Sequence, residues 1–409
     1  MRGVRVVVLG GSGVATPALA EAIHEHPGRT VPVELVLVGR NRHKLELVAA
    51  MARLLAAGDP LLSVSSSTEV EAALAGAEIV LNQVREETVG AGGFANACRT
   101  VPVALEYARL VERVAPGARL VTFSNPASLV QYAISRYTRV ATIGLCDAPI
   151  TLIDNVARAV GAPPGELNVD YLGMHHFGWV TGLWRRGEDL LPKARASAGE
   201  IVREVEPAIV QAIGAIPSPY LRYVFHPDRM LARTSGKRTR AEELLDLQGE
   251  ILADYERSLS TGQRPTAFHR RGARWYGMII APVLVALIEG RHGPAPAAPG
   301  QYVINVTNGQ VIPWLPAEAI VEVPALVEAG RVRALATGKV PADVRALLQA
   351  NCAYEMLAAE AIVERDRGKA LRALLVSPFR HTYDQARAVL DRVWEQATAP
   401  EGAPRRSDP

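Results

Sequence analysis

Two short segments hold the side chains best suited to gripping a metal. Gly144-Leu145-Cys146-Asp147-Ala148-Pro149 sets a thiol beside a carboxyl, and Gly173-Met174-His175-His176-Phe177-Gly178-Trp179 brings two imidazoles about one supersecondary unit later. Sulfur and imidazole suit borderline divalent metals such as Mn²⁺, Fe²⁺, Co²⁺, Ni²⁺ or Zn²⁺, and two protein ligands leave coordination positions for substrate oxygens. A site of that kind does Lewis-acid chemistry. The spacing by itself describes a buried cysteine and a core histidine equally well. Pro217-Ser218-Pro219-Tyr220-Leu221-Arg222-Tyr223 adds two phenols, which share one side if the segment is helical. A phenol near a metal and an Arg can serve as a base. Two tyrosines packing a domain seam would look the same.

The other chemical signal is at the beginning of the chain. Val4 to Leu9 is β-branched and apolar, then Gly10-Gly11-Ser12-Gly13 follows, and Thr16-Pro17 opens the apolar-periodic stretch Ala18 to Ile23. Strand, glycine turn and helix in that order form a cradle for a pyrophosphate, with unpaired helix N–H groups facing its charge. A third glycine is expected three residues after Gly13, and Thr16 stands there instead. At the end of the second strand, Val38-Gly39-Arg40-Asn41-Arg42 lacks the acid that holds the ribose of NAD. An Arg at that point accommodates a 2′-phosphate, so NAD and NADP both stay open, unless Arg40 and Arg42 are only solvated loop charges. Ser124-Asn125-Pro126 directly follows another strand, which makes Asn125 a substrate contact or a plain turn.

These residues need a frame. Val33 to Val38, Ile79 to Gln83 and Leu120 to Phe123 read as further strands, with helices over Asn41 to Leu55 and Val101 to Val114. Strands alternating with helices predict an α/β fold, a Rossmann-like, doubly wound parallel sheet over residues 1–150. Residues 151–396 read as a helix-rich α+β domain for substrate, metal and oligomerisation, laid against the first, with helices over Glu200 to Ala215, Arg240 to Leu259, Arg274 to Ile288, Pro341 to Asp366 and Asp384 to Gln396. Tyr302 to Val306 and Ala319 to Val323 read as strands, His292 to Gly300 as a loop, and 397–409 as a disordered tail.

Composition excludes several classes of function. With 409 residues, 49% of them hydrophobic, the chain has enough core for about two domains. A net charge of +3 with no long block of one sign argues against nucleic acid as a partner. The longest apolar run, Met278 to Ile288, contains Pro282 and falls short of the ~20 residues that cross a bilayer, so no membrane partner is expected. Three scattered cysteines fit reduced thiols in the cytoplasm.

Taken together these segments resemble glycoside hydrolase family 4, the NAD- and metal-dependent glycosidases. The likeness also rests on Thr88-Val89-Gly90-Ala91-Gly92-Gly93, Arg271-Gly272-Ala273, Asn305-Val306-Thr307-Asn308-Gly309 and Val321-Glu322-Val323-Pro324, all in the family's order. The resemblance implies a lactate/malate dehydrogenase-like fold and hydrolysis of a small-molecule glycoside by transient oxidation at sugar C3, metal-assisted deprotonation at C2, elimination at C1, addition of water and re-reduction at C3. By motif it implies Cys146 and His176 as metal ligands, manganese foremost, Asp147 as the acid, and Tyr220 as the base with Tyr223 its rival. It further implies Asn125, His175 and Arg271 at the substrate, Gly10, Gly11, Ser12, Gly13, Arg40 and Asn41 at the dinucleotide, and a homodimer or homotetramer.

The chain departs from the family pattern in three further places. His175 stands where many relatives have Asn, and can add a ligand, touch substrate or simply pack; the stretch between Arg85 and Thr88 is short where phospho-glycosidases carry an Arg toward a 6-phosphate, and the Asn308-Gly309 turn is one residue shorter. The substrate's anion is therefore open among phosphate, sulfonate, carboxylate and none. Two rival readings are a 2-hydroxyacid dehydrogenase, which needs an Asp and Arg three apart where this chain has Asp154 and Arg158, and a nucleotide-binding sensor without turnover.

Overall fold

The structure, a computed structural model, describes residues 3–84, 93–238, 240–271, 273–292, 300–328 and 330–398. The motif residues 88–92, Gly272, most of the loop after His292 and the tail from 399 lie outside the described residues. Six parallel strands come first: β1 (Val4–Leu9), β2 (Val33–Val38), β3 (Leu62–Ser67), β4 (Ile79–Asn82), β5 (Arg119–Thr122) and β6 (Ala141–Gly144). Their order 3-2-1-4-5-6 is that of a dinucleotide-binding sheet. Between them run α1 (Pro17–His24), α2 (Arg42–Leu55), α3 (Val70–Leu74), α4 (Gly93–Val114) and α5 (Ala127–Tyr137).

Alternation along β1 shows how the layers form. Val6 and Val8 face Leu19 of α1, Val48 of α2 and Ile251 of the helix Arg240–Thr261. Val7 and Leu9 point the other way, into a cluster with Val101 of α4, Leu129 of α5 and Ile362 of the helix Ala342–Glu364. With both faces covered, the inner strands β1, β2 and β4 are nearly continuous apolar runs, whereas β3 at the edge reads LSVSSS. The C-terminal helices thus return to cover the first six strands. The boundary expected at 150/151 falls inside the next helix, α6 (Asp147–Val160).

The remaining strands extend the same sheet. They are β7 (Asn168–Met174), β8 (Phe177–Arg185), β9 (Glu188–Asp189), β10 (Ile216–Pro217), β11 (Gly300–Thr307), β12 (Ile320–Glu328) and β13 (Arg331–Ala334). Beyond β6 the order runs β11, β12, β7, β8, β10, all antiparallel to their neighbours. Two joints are a single residue pair each: Asn305 with Gly144 between β11 and β6, and Glu322 with Gly173 between β12 and β7. Asn305 pairs in turn with Glu322. Strands joined through one pair can cross steeply, and a glycine stands in each pair, Gly144 crowded by α5 and by Asn305 and Gly173 crowded by β8 of its own hairpin. A Cβ on Gly144 would stand 2.4 Å from Gln131 Oε1, and one on Gly173 2.4 Å from Gly178 Cα.

The helix expected over Glu200 to Ala215 is interrupted. Helices form at Ala198–Ile201 and Pro207–Ile213, because Pro207 has no N–H to donate and holds Glu206 in an extended conformation. The helix expected from Arg274 begins as a π-turn, Tyr276–Ile280, before Ala281–His292. No helix is long and apolar enough to cross a membrane among the described residues.

The joint at Gly173 gives a first prediction. Gly173→Ala places a methyl against the β8 backbone at Gly178, and we expect a loss of about 3 kcal/mol in stability, read as a lowered thermal midpoint; an unchanged midpoint would mean that β7 and β8 can part at that point without cost.

Candidate active site

The carboxyl ends of β1, β2, β4 and β5 open onto a cleft of about 430 Å³, lined from the glycine turn through Arg40, Lys44 and Thr68 to Arg271 and Trp275. Gly10 takes φ +78°, a conformation open to glycine, where the chain leaves β1. Thr16, in place of the third glycine, is fully buried and accepts a 2.8 Å bond from Gln83 Nε2, which also reaches the Gly10 carbonyl at 3.2 Å. Tyr276 of the π-turn donates to Gln83 Oε1 at 2.7 Å. The turn is therefore held by side chains from two other elements. At its far end the cleft carries Arg40 and Lys44, and Lys44 donates to Gln248 at 2.7 Å. Among the described lining residues there is no Asp or Glu. Asn41, expected at the cofactor, caps α2 by accepting from the Lys44 amide at 3.0 Å. An open turn and a cationic end fit a dinucleotide, with its pyrophosphate at the glycines and a 2′-phosphate tolerated beyond the ribose.

The metal candidates converge from two ends of the sheet. Cys146 is the N-cap of α6, its sulfur accepting from the Ala148 amide at 3.5 Å, so the positive end of the helix faces the sulfur. Met174 pairs with Phe177, which leaves His175 and His176 as the two-residue loop of the β7–β8 hairpin. His176 sits at φ +62°, a conformation that costs about 1 kcal/mol or more outside glycine and that histidine tolerates better than most. Ligand atoms of Cys146, His175 and His176 all lie within 4.8 Å of one another. One sulfur and imidazole nitrogens so grouped fit a borderline divalent cation. His175, expected at the substrate, thus stands within the donor group itself, its ring stacked on His176 at 3.7 Å.

The second phenyl face of this stack belongs to Tyr220, whose ring lies 3.7 Å from that of His176 and 2° from parallel. Its phenol is pushed up to about 12, first by burial and then by the negative charges of Cys146 and Asp147, while Arg222 works in the opposite direction. Arg222 lies over both phenols, 5.4 Å from the Tyr220 ring centre and 4.9 Å from that of Tyr223, and is paired with Glu204. Tyr223 makes no ring contact with the histidines among the described residues. Asp147 is the first residue of α6, next to Cys146. Asn125 begins a cis peptide to Pro126, and its carbonyl accepts from Asn96 at 3.1 Å. Arg271 lines the cleft between the glycine turn and Trp275.

Behind the donors lies a buried polar group that spacing does not reveal. Glu322 is fully buried; Tyr171 donates to its Oε2 at 2.8 Å and Asn305 Nδ2 to its Oε1 at 3.1 Å. Burial pushes its carboxyl up to about 8 despite both bonds, with the charges of Glu355 and Asp147 adding to the rise. Glu355, pushed up to about 7 by burial, accepts from Asn351, which also reaches the sulfur of Met174. The one sequence signal was an acid inside the apolar run Val321 to Val323. Gln83, Lys44 and Trp275 are other site residues that only the fold brings in.

Similarity to known proteins spans the same regions. Residues 81–162 match the model of family 4 glycosyl hydrolases, and residues 171–379 that of the family 4 glycosyl hydrolase C-terminal domain. The probable 6-phospho-β-glucosidase of Bacillus subtilis (strain 168) is 27% identical over 436 residues, 96% of this chain and 96% of that protein. The 6-phospho-β-glucosidase of Thermotoga maritima, in a structure with manganese, NAD⁺ and glucose-6-phosphate, superposes with a TM-score of 0.84 at 25% identity, covering 96% of this chain and 98% of that one. A lactate dehydrogenase from a Medee basin deep-sea metagenome library shares the fold, with a TM-score of 0.55 at 16% identity over 88% of this chain and 98% of that one.

Two expected outcomes follow from the geometry. Cys146→Ser should bind Mn²⁺ at least about tenfold more weakly in a titration followed by electron paramagnetic resonance, and undiminished binding would remove the sulfur from the ligand set. Arg40→Asp should lower the affinity for NADP and raise that for NAD in fluorescence titrations, whereas an unchanged ratio makes Arg40 a bystander.

Proposed function

The chain belongs to glycoside hydrolase family 4 and is a NAD- and divalent-metal-dependent glycosidase; we propose that it cleaves a small anionic glycoside, with Cys146 and His176 holding the cation, Tyr220 as the base at sugar C2 and Asp147 as the acid at the leaving oxygen. The observation that carries this assignment is the parallel stacking of Tyr220 on His176 beside Cys146. When bound, the dinucleotide supplies a reversible hydride acceptor for C3 and the cation a Lewis acid for the C2 and C3 oxygens. The protein's own side chains do the rest. Tyr220, fixed in plane against His176, takes the C2 proton, and a phenol raised by burial needs the charge of Arg222 and of the cation to do so near neutrality. Asp147 passes a proton to the glycosidic oxygen as the C1–O bond breaks. Asn125 and Arg271 orient the sugar beneath the cleft.

The anion at C6 is read from charge and kinship. Arg222 lies over the Tyr220 ring and Arg271 lines the cleft, and relatives named above are 6-phospho-β-glucosidases. A phosphate, a sulfonate or a carboxylate would each meet those cations. The 2-hydroxyacid dehydrogenase reading finds no matching clamp, since Arg158 donates to Asn155 on its own helix. We place the enzyme in the cytoplasm, where a ligand thiol stays reduced, as a homodimer or homotetramer that covers apolar surface such as Leu231, 67% exposed.

Nitrophenyl glycosides, plain, 6-phosphorylated, 6-sulfonated and uronic, should be cleaved only when dinucleotide and Mn²⁺ are both present, and the substrate deuterated at C2 should react more slowly or exchange with solvent. Tyr220→Phe should lose at least about a hundredfold in kcat while Tyr223→Phe loses little. Net NADH formation from a hydroxy acid with every glycoside intact would transfer the assignment to the dehydrogenase.

A further inference from the structure

The two arms of the metal site should not meet in a flat sheet. Cys146 follows β6 and His175-His176 follow β7, and β11 and β12 lie between those strands. Three strand spacings span about 14 Å, yet the donor atoms of the two arms lie within 4.8 Å. The sheet must bend between them, and the single-pair joints at Gly144 and Gly173 are where it can. Cys146 is two residues beyond the first joint and His175 two beyond the second.

What bridges the joints is polar and buried. Asn305, paired with Gly144, donates its side-chain amide to Glu322, paired with Gly173, and the Asn305 carbonyl accepts from Gln131 of α5 at 3.1 Å. Tyr171, two residues before Gly173 on β7, closes the far side of Glu322 at 2.8 Å. One carboxyl is thus tied by side chains to β11 and to β7. An apolar residue would fill the same volume with no preferred direction, whereas these bonds fix one arrangement.

We propose that Glu322, through Asn305 and Tyr171, is a positioning residue that sets the separation of the Cys146 and His176 arms and so the affinity and geometry of the metal site. The inference rests on the assignment of those arms to a divalent cation. Glu322 stands outside the donor group of Cys146, His175 and His176 and acts through the strands that carry those ligands. A glutamine at this position keeps both bonds, its amide oxygen accepting from Asn305 and its N–H facing the Tyr171 oxygen. An alanine keeps neither.

The test uses the full chain and Co²⁺, whose thiolate charge-transfer band reports the sulfur–metal bond, with Mn²⁺ competition for affinity. Glu322→Ala should bind at least about tenfold more weakly, with a shifted or weakened band, while dinucleotide affinity stays within about twofold; Glu322→Gln should restore both readings. Tyr171→Phe, which removes one bond and little volume, should show the same change in smaller measure and serves if the alanine variant does not fold. A stability control lies far from the site: Glu289 accepts from the Thr30 and Val31 amides at 2.7 and 2.8 Å, so Glu289→Ala should lower the thermal midpoint without moving the Co²⁺ band. Wild-type affinity and spectrum in Glu322→Ala or in Tyr171→Phe would overturn the inference, as would equal metal loss in Glu289→Ala. Failure of the wild-type chain to bind Co²⁺ or Mn²⁺ would instead overturn the metal assignment, and the inference with it.

Discussion

The constraint on which the site depends is a bend in one sheet. Cysteine and histidine come from strands that a flat sheet would hold about 14 Å apart, and Cys146 is too short to reach across. The molecule resolves this with two joints of one residue pair each, both at glycines. A bend made by removing hydrogen-bonded pairs loses ladder stability; the buried Tyr171–Glu322 bond crosses the one-pair joint between β7 and β12, and the Asn305–Glu322 bond links that joint to the one at Gly144. The polar cluster and the glycines are two halves of the same solution.

A comparable arrangement holds the nucleotide end. Gln83 bonds Thr16, the Gly10 carbonyl and Tyr276, so the glycine turn is fixed by β4 and by the π-turn. π-turns recur at functional sites because the extra residue in the turn redirects side chains that an α-helix would leave on its face. Here the turn sends Tyr276 to Gln83 and leaves Arg271 and Trp275 on the cleft wall. At both ends of the active cleft a buried side chain does what a longer ladder or a third glycine would otherwise do: Gln83 donates and accepts, and Glu322 accepts twice.

The fold alone would not have chosen between chemistries. A lactate dehydrogenase shares the fold, and the chemistry is decided by what surrounds the hairpin histidines. In this chain a thiol at the start of α6 faces the hairpin, and a phenol stacks on its second histidine. Arg158, the candidate for a carboxylate clamp, is turned to Asn155. Those three placements separate a metal-assisted elimination from a hydride transfer that leaves its product oxidised.

The sequence by itself determined β1, β2, α2 and the glycine turn, where short β-branched runs ending in glycine and a helical apolar spacing follow one another in the order of a nucleotide-binding unit. The residue types of the site were legible only through the order of the motifs, which carried the family, since a thiol, an imidazole and a phenol at those spacings fit packed core residues equally well. The sequence did not reveal that β7, β8, β11 and β12 extend the first sheet, since antiparallel pairing over long separations leaves no local trace. Nor did it separate Tyr220 from Tyr223, bring His175 into the donor group, or mark Thr16 as the partner of Gln83. Those depend on distances between residues far apart in the chain, which are set when the sheet bends and the helices close over it, and no spacing along the sequence encodes them.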